Sequence, residues 1–239
     1  MPQFPGFPPE GIAFFRQLKK NNNRDWFQPR KHIFDEKVKA PMTELVHQLN
    51  AALASSAPDH VTDPAKAIYR IYRDTRFSKD KTPYKTHIAA IFRHRALEKH
   101  SSAGFYFGVS PDEVEIAGGV YMPGPDQLRI LRNMLAGRHE EYRRITSAKS
   151  LTKLMGEIQG EQLARVPKGF PAAHPAEDLL RRKQWYFYVT LDGAIATTPK
   201  LFGELLKRFE VMKPFIDFMN TPLLSRRKKD SVSQRFHAV

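Results

Sequence analysis

The chemistry in this sequence is concentrated between residues 68 and 87, where arginines recur every third position (Arg70, Arg73, Arg76) and lysines follow at Lys79, Lys81 and Lys85. Guanidinium groups present a planar fork that fits two oxygens of a phosphate or carboxylate, and lysine adds a mobile point charge. Tyr69, Tyr72, Phe77 and Tyr84 interleave these cations, and aromatic rings among cations suit stacking on nucleobases. Thr82 precedes Pro83, which pushes it to extended geometry and stiffens the loop. The expected contact set for an anion is therefore Arg70, Arg73, Arg76, Lys79, Lys81, Tyr84 and Lys85, with Arg30 able to turn toward them. Asp74, Tyr84 and His87 are the candidates for proton transfer; neighbouring cations are expected to lower the Tyr84 pKa and to keep Asp74 ionised. A purely structural alternative stands beside this: Asp74 and Asp80 can pair with the same cations and leave a solvated ion-pair face.

Composition sets the frame. Of 239 residues, 41% are hydrophobic and 27% charged, as in ordinary globular chains. No apolar run approaches the roughly 18 residues of a membrane span, and the start of the chain lacks the pattern of a signal peptide. With no cysteine there is no disulfide, thiolate metal site or cysteine nucleophile, so a soluble cytoplasmic protein is expected. The net charge is +14, and it is local. Lys66 to Lys99 holds ten basic residues against Asp74, Asp80 and Glu98, a surplus of +7; Ser225 to Val239 adds +4. Local positive charge builds the potential that attracts phosphates or nucleic acid.

The elements that must position the basic segment can be read from periodicity. A helix is predicted over 9–20, ended by Asn21, Asn22 and Asn23; a second helical stretch covers 24–55 and is kinked or split at Pro41. Residues 67–74 and 87–93 read as strands flanking the polar loop, and 104–109 pairs with 114–121 across a turn at 110–113. Helix is predicted over 125–136 with Gly137 as its stop, and two short helices over 139–159. A Pro- and Gly-rich connection follows at 165–178, then a strand over 185–191. A final apolar helix opens on Thr198 as cap and Pro199 in the first turn. Strands clustered between terminal helices make the fold class α+β, a central antiparallel or mixed sheet covered by helices from both ends of the chain. The expected organisation is one domain over 1–222 and a flexible basic tail over 223–239.

Several motifs together resemble the domain-of-unknown-function 2461 family. They are Asn21-Asn22 with Arg24-Asp25-Trp26-Phe27 leading to Arg30, the block from Arg70 to Lys85, Gly104-Phe105-Tyr106-Phe107 with Ser110-Pro111-Asp112, and Gly118-Gly119 running to Pro123. The resemblance spans about residues 4 to 222, leaves the basic tail outside, and implies a shared fold and a cytosolic context. It brings no activity with it.

The remaining constellations carry less. Trp26 and Phe27 read as anchors of a helix on the sheet. Gly118-Gly119 lacks the ending of a phosphate loop and reads as a bulge or a close backbone approach, while the helix opening near Pro125 can offer amides to an anion. The nine histidines do not fall at metal-ligand spacing, so neither a metal nor a cofactor is expected. Three readings follow. The first is a binding domain for a phosphate-bearing ligand, a nucleotide or nucleic acid. The second is an enzyme acting on a phosphorylated or carboxylated small molecule. The third is a structural or interaction protein with an internally paired arginine network.

Overall fold

The computed structural model describes residues 3–97 and 102–236, with side chains described up to Ser225. Lys99, Glu98 and the basic side chains of the tail, Arg226 to Lys229 among them, therefore lie outside the described residues. The architecture is α+β: a four-stranded antiparallel sheet in the order β1-β2-β3-β4, with β1 at Ile88–Arg93, β2 at Gly104–Val109, β3 at Glu113–Val120 and β4 at Trp185–Asp192. Helices α1 (Pro9–Lys20), α2 (Arg24–Phe27), α3 (Lys31–Phe34), α4 (Ala40–Ser56) and α5 (Pro64–Ala67) precede the sheet. Helices α6 (Pro125–Gly137), α7 (His139–Thr146), α8 (Lys149–Met155) and α9 (Glu177–Leu180) lie between β3 and β4, and α10 (Lys200–Phe236) follows. The chain clusters into two compact units. One comprises residues 1–92, 106–116 and 189–207; the other comprises 93–105, 117–188 and 208–239.

In the first unit, aromatic packing sets the helical layer. Phe14 of α1 meets the rings of Trp26, Phe27 and Phe34 at 5.5, 6.0 and 6.0 Å. Asn23 caps α2 by accepting the Trp26 amide at 2.9 Å, which fixes where these rings start. Between α3 and α4 the helix widens into a π segment, Asp35–Lys39. Pro41 explains it: proline has no N–H, and its ring crowds the carbonyl four residues back, that of Lys37. That carbonyl lies against Gly11, where a Cβ would stand 2.2 Å from it.

The expected strand over 67–74 is corrected. Ala67 closes α5, whose Asp63 cap accepts the Ala65 amide at 2.9 Å. Residues 68–73 then pair with 83–90 only through isolated bridges, Ile68 to Ala90 and Tyr72 to Tyr84. Pro83 is the reason on the partner side, since it accepts from the Arg73 amide at 2.9 Å but has no N–H to return. The result is an irregular hairpin whose tip is the charged loop 74–82.

In the second unit, Phe105 stacks on Phe209 at 4.9 Å, and the Asn220 side chain makes two bonds with the Ala103 backbone, at 2.9 and 3.0 Å. Gly119 has φ +135°, and a Cβ there would meet the Trp185 carbonyl at 2.3 Å, so the expected close approach of backbone is found at this glycine. In the first unit, the Thr198 hydroxyl donates back to the Ile195 carbonyl at 2.9 Å, inside the 3-10 turn over 193–197 that precedes α10.

Candidate functional site

The cations of residues 68–87 fall into two groups. Arg76 grips Asp74 with two bonds, Nε to Oδ1 at 3.0 Å and a terminal nitrogen to Oδ2 at 2.7 Å. Arg73 pairs with Asp80 and with the Thr82 hydroxyl. Both carboxyls are held down to about 2: Asp74 first by the Arg76 side chain and then by the Arg76 amide, Asp80 first by the Thr82 amide and then by Arg73. Lys81 donates to the Thr75 carbonyl at 3.0 Å. These bonds fold the loop on itself. They also occupy the forks that a ligand would need, although the loop is exposed and water screens such surface pairs.

Arg70, Lys79 and Lys85 are different. Among the described residues none of them makes an ion pair or side-chain hydrogen bond. Arg70 and Lys79 are exposed, and Lys85 is half-buried. Lys85 Nζ sits 5.0 Å from the centre of the Tyr69 ring. Its pKa is pushed below the usual lysine value, first by burial and then by the charge of Arg70. Lys85 thus lies beside an aromatic ring and within electrostatic reach of Arg70, with no carboxylate acting on it.

The hairpin carries further groups to the same place. Tyr69 donates its amide to Ala89 at 2.9 Å, and its ring meets Tyr106 of β2 edge-on at 6.4 Å. The Tyr106 hydroxyl donates to Glu115 Oε2 of β3 at 3.0 Å. Gly108 makes room for this pair, because a Cβ there would fall 2.7 Å from Glu115 Oε2 and 2.9 Å from the Tyr106 hydroxyl. His87, half-buried at the head of β1, has its pKa lowered by burial, with Glu115 opposing and Lys85 reinforcing that shift. Tyr106 and Glu115 escaped the sequence reading. Their signal was present: β2 and β3 alternate, and a tyrosine and an acid in mid-strand share the face opposite Phe105, Phe107, Val114 and Ile116.

Tyr84 and Arg30 stand elsewhere. Tyr84 is buried and stacked on Phe27 at 4.0 Å, and both its amide and its carbonyl are held by the Asn22 side chain, at 3.0 and 2.9 Å. Burial raises its pKa, with Tyr72 adding to the rise and Gln28 and Arg24 opposing it. The expected lowering by cations is therefore corrected: Tyr84 is a clamp that ties the loop to α2. Arg30 does not join the loop either. It donates to the Trp26 carbonyl at 3.1 Å and lies 4.8 Å from the Trp26 ring centre, a cation–π contact within its own helical segment.

No helix among the described residues is long and apolar enough to cross a membrane. Among the same residues, no three His, Asp or Glu side chains gather where a metal ion would fit. The molecule is thus an α+β protein whose sheet hairpin presents a basic-aromatic edge. The sequence profile of the family described as "Conserved hypothetical protein (DUF2461)" matches residues 10–218, and the chain belongs to that family. The basic segment, the β2–β3 hairpin and helices α6 to α9 all fall inside the matched range, while the tail from 223 lies beyond it. No curated protein matches the chain closely enough to lend it an activity.

Proposed function

We propose that the protein binds a phosphate-bearing ligand, a nucleotide or a stretch of nucleic acid, and that Arg70 and Lys85 are its principal contacts. The observation that carries this reading is the unbalanced pair itself. Arg73 and Arg76 are ion-paired to acids in the loop, whereas Arg70, within electrostatic reach of Asp74, and Lys85, close enough for Arg70 to depress its pKa, make no ion pair. Like charges held together raise the free energy of the unliganded state, and an arriving oxyanion relieves that repulsion. Exposed rings stand nearby in the chain, Tyr72 at 45% and Phe77 at 96% exposure, and they suit stacking on a base. The test is calorimetric titration with inorganic phosphate, ATP and a short single-stranded RNA, on the native chain and on Arg70→Ala/Lys85→Met. The double variant is expected to weaken the best ligand by roughly tenfold or more, the size of one or two charge-assisted hydrogen bonds. Undiminished binding in the variant would refute the assignment.

A second reading is favoured by one arrangement. His87 lies within electrostatic reach of Glu115, which accepts from Tyr106, and of Lys85. A histidine kept neutral by burial and flanked by a carboxylate and a cation is suited to act as a general base on a bound phosphate or carboxylate compound. Turnover of such a compound, abolished in His87→Gln while binding persists, separates this reading from simple binding.

A further inference from the structure

A cavity of about 450 Å³ lies in the second unit, lined by the start of α6 and by the Pro- and Gly-rich connection that precedes α9. That volume falls within the range of roughly 300–1,000 Å³ common for small-molecule sites. Its charged lining is entirely basic: Arg129 and Arg132 from α6 and Lys168 from the connection. The remainder is apolar, Leu128, Phe170 and three prolines.

The three cations are not equally engaged. Arg129 is shared with Asp126 at 3.4 Å, one turn earlier on the same helix. Arg132 donates one terminal nitrogen to the Arg182 carbonyl at 2.9 Å, while its Nε is buried without an acceptor. Burial is the one cause that pushes its pKa below the usual arginine value, with no carboxylate offsetting it. That Nε is closed to solvent and so to the cavity, and an oxyanion there would meet the guanidinium through its terminal nitrogens, which no carboxylate engages. Lys168 is exposed and makes no ion pair among the described residues. Arg132 and Lys168 together offer two positive charges, which matches a phosphate dianion better than a single carboxylate. The apolar wall then calls for a hydrophobic body on that phosphate, since a bare inorganic ion would leave Phe170 and the prolines unused. The start of α6, a helix of 13 residues, adds its favourable dipole end on the same side.

We infer that this cavity is a second binding site, for a small phosphomonoester carrying an aromatic or aliphatic body, with Arg132 and Lys168 taking the phosphate and Phe170 the body. It involves none of the residues of the Arg70–Lys85 site and stands or falls apart from it.

The test is calorimetric titration of the Arg70→Ala/Lys85→Met protein, which removes the other proposed anion site, with phenyl phosphate, inorganic phosphate and benzoate. Saturable one-to-one binding is expected. Phenyl phosphate should bind roughly tenfold or more tightly than either comparator, and Lys168→Ala and Arg132→Met should each weaken it by about tenfold, the scale of one lost charge-assisted bond. Lys168→Ala alters an exposed side chain and so remains informative even if Arg132→Met fails to fold. Absence of saturable heat would overturn the proposal. So would equal affinity for phenyl phosphate and inorganic phosphate, tighter binding of benzoate, or affinity unchanged in Lys168→Ala.

Discussion

A guanidinium whose donors are taken by a carboxylate has little left for a ligand, so partner accounting decides which cations of the basic segment are available. Arg76 and Arg73 spend their forks on Asp74 and Asp80; Arg70 and Lys85 do not. Spacing alone made all six cations equivalent, and only the fold of the loop separates them. His87 gives a second prediction at this scale. Burial lowers its pKa from the ordinary 6.5, so the folded protein resists protonating it while the unfolded chain does not. The associated stability is complete above that ordinary value and is lost as pH falls below it. His87→Gln should therefore flatten the decline in melting temperature between about pH 7 and pH 5, measured by calorimetry against the native chain. An unchanged slope would mean that His87 is solvated and titrates as a free imidazole. The residue-level miss was Tyr84: a tyrosine among cations reads as activated, but stacking on Phe27 removes it from water and the desolvation dominates.

At the scale of elements, period-two alternation made β2 and β3 legible, because their inward residues Phe105, Phe107, Val114 and Ile116 are all apolar and buried. The α6 helix was legible for the same kind of reason, with Leu131 and Leu135 buried one turn apart. Residues 67–74 misled because alternation of aromatic, aliphatic and basic side chains mimics a strand, whereas Pro64 starts a helical turn and Pro83 denies the partner ladder a donor. The site inherits its shape from that failure, since an interrupted hairpin turns Arg70 outward and leaves Lys85 half-covered. The meeting of α1 with the π segment belongs to this scale too. Gly-to-Ala changes in helices ordinarily stabilise by up to about 1 kcal/mol. At Gly11 the new methyl would stand 2.2 Å from the Lys37 carbonyl, so Gly11→Ala is expected to destabilise instead, by about 1–3 kcal/mol in chemical denaturation. A neutral or stabilising result would show that α1 shifts freely away from the π segment.

For the whole molecule, a net charge of +14 supplies long-range attraction to any polyanion, and salt weakens that attraction without regard to shape. Family membership adds the fold's extent, residues 10–218, and no chemistry. The neighbourhood of the site was legible in the sequence because charge density is a local property. The Tyr106–Glu115 pair and the cavity beside Arg132 were not, since each joins residues brought together only by strand pairing or by the connection before α9. The role proposed for Arg70 and Lys85 is that of two neighbouring cations, neither of them in an ion pair, that take up an anion. It is tested most directly by following the Lys85 side chain through a pH titration by NMR, with and without phosphate. Lys85 is expected to titrate below the ordinary lysine value of 10.5 in the free protein, to move back toward it in Arg70→Ala, and to rise when phosphate is added. A Lys85 that titrates at the ordinary value and is indifferent to both Arg70→Ala and phosphate would contradict it.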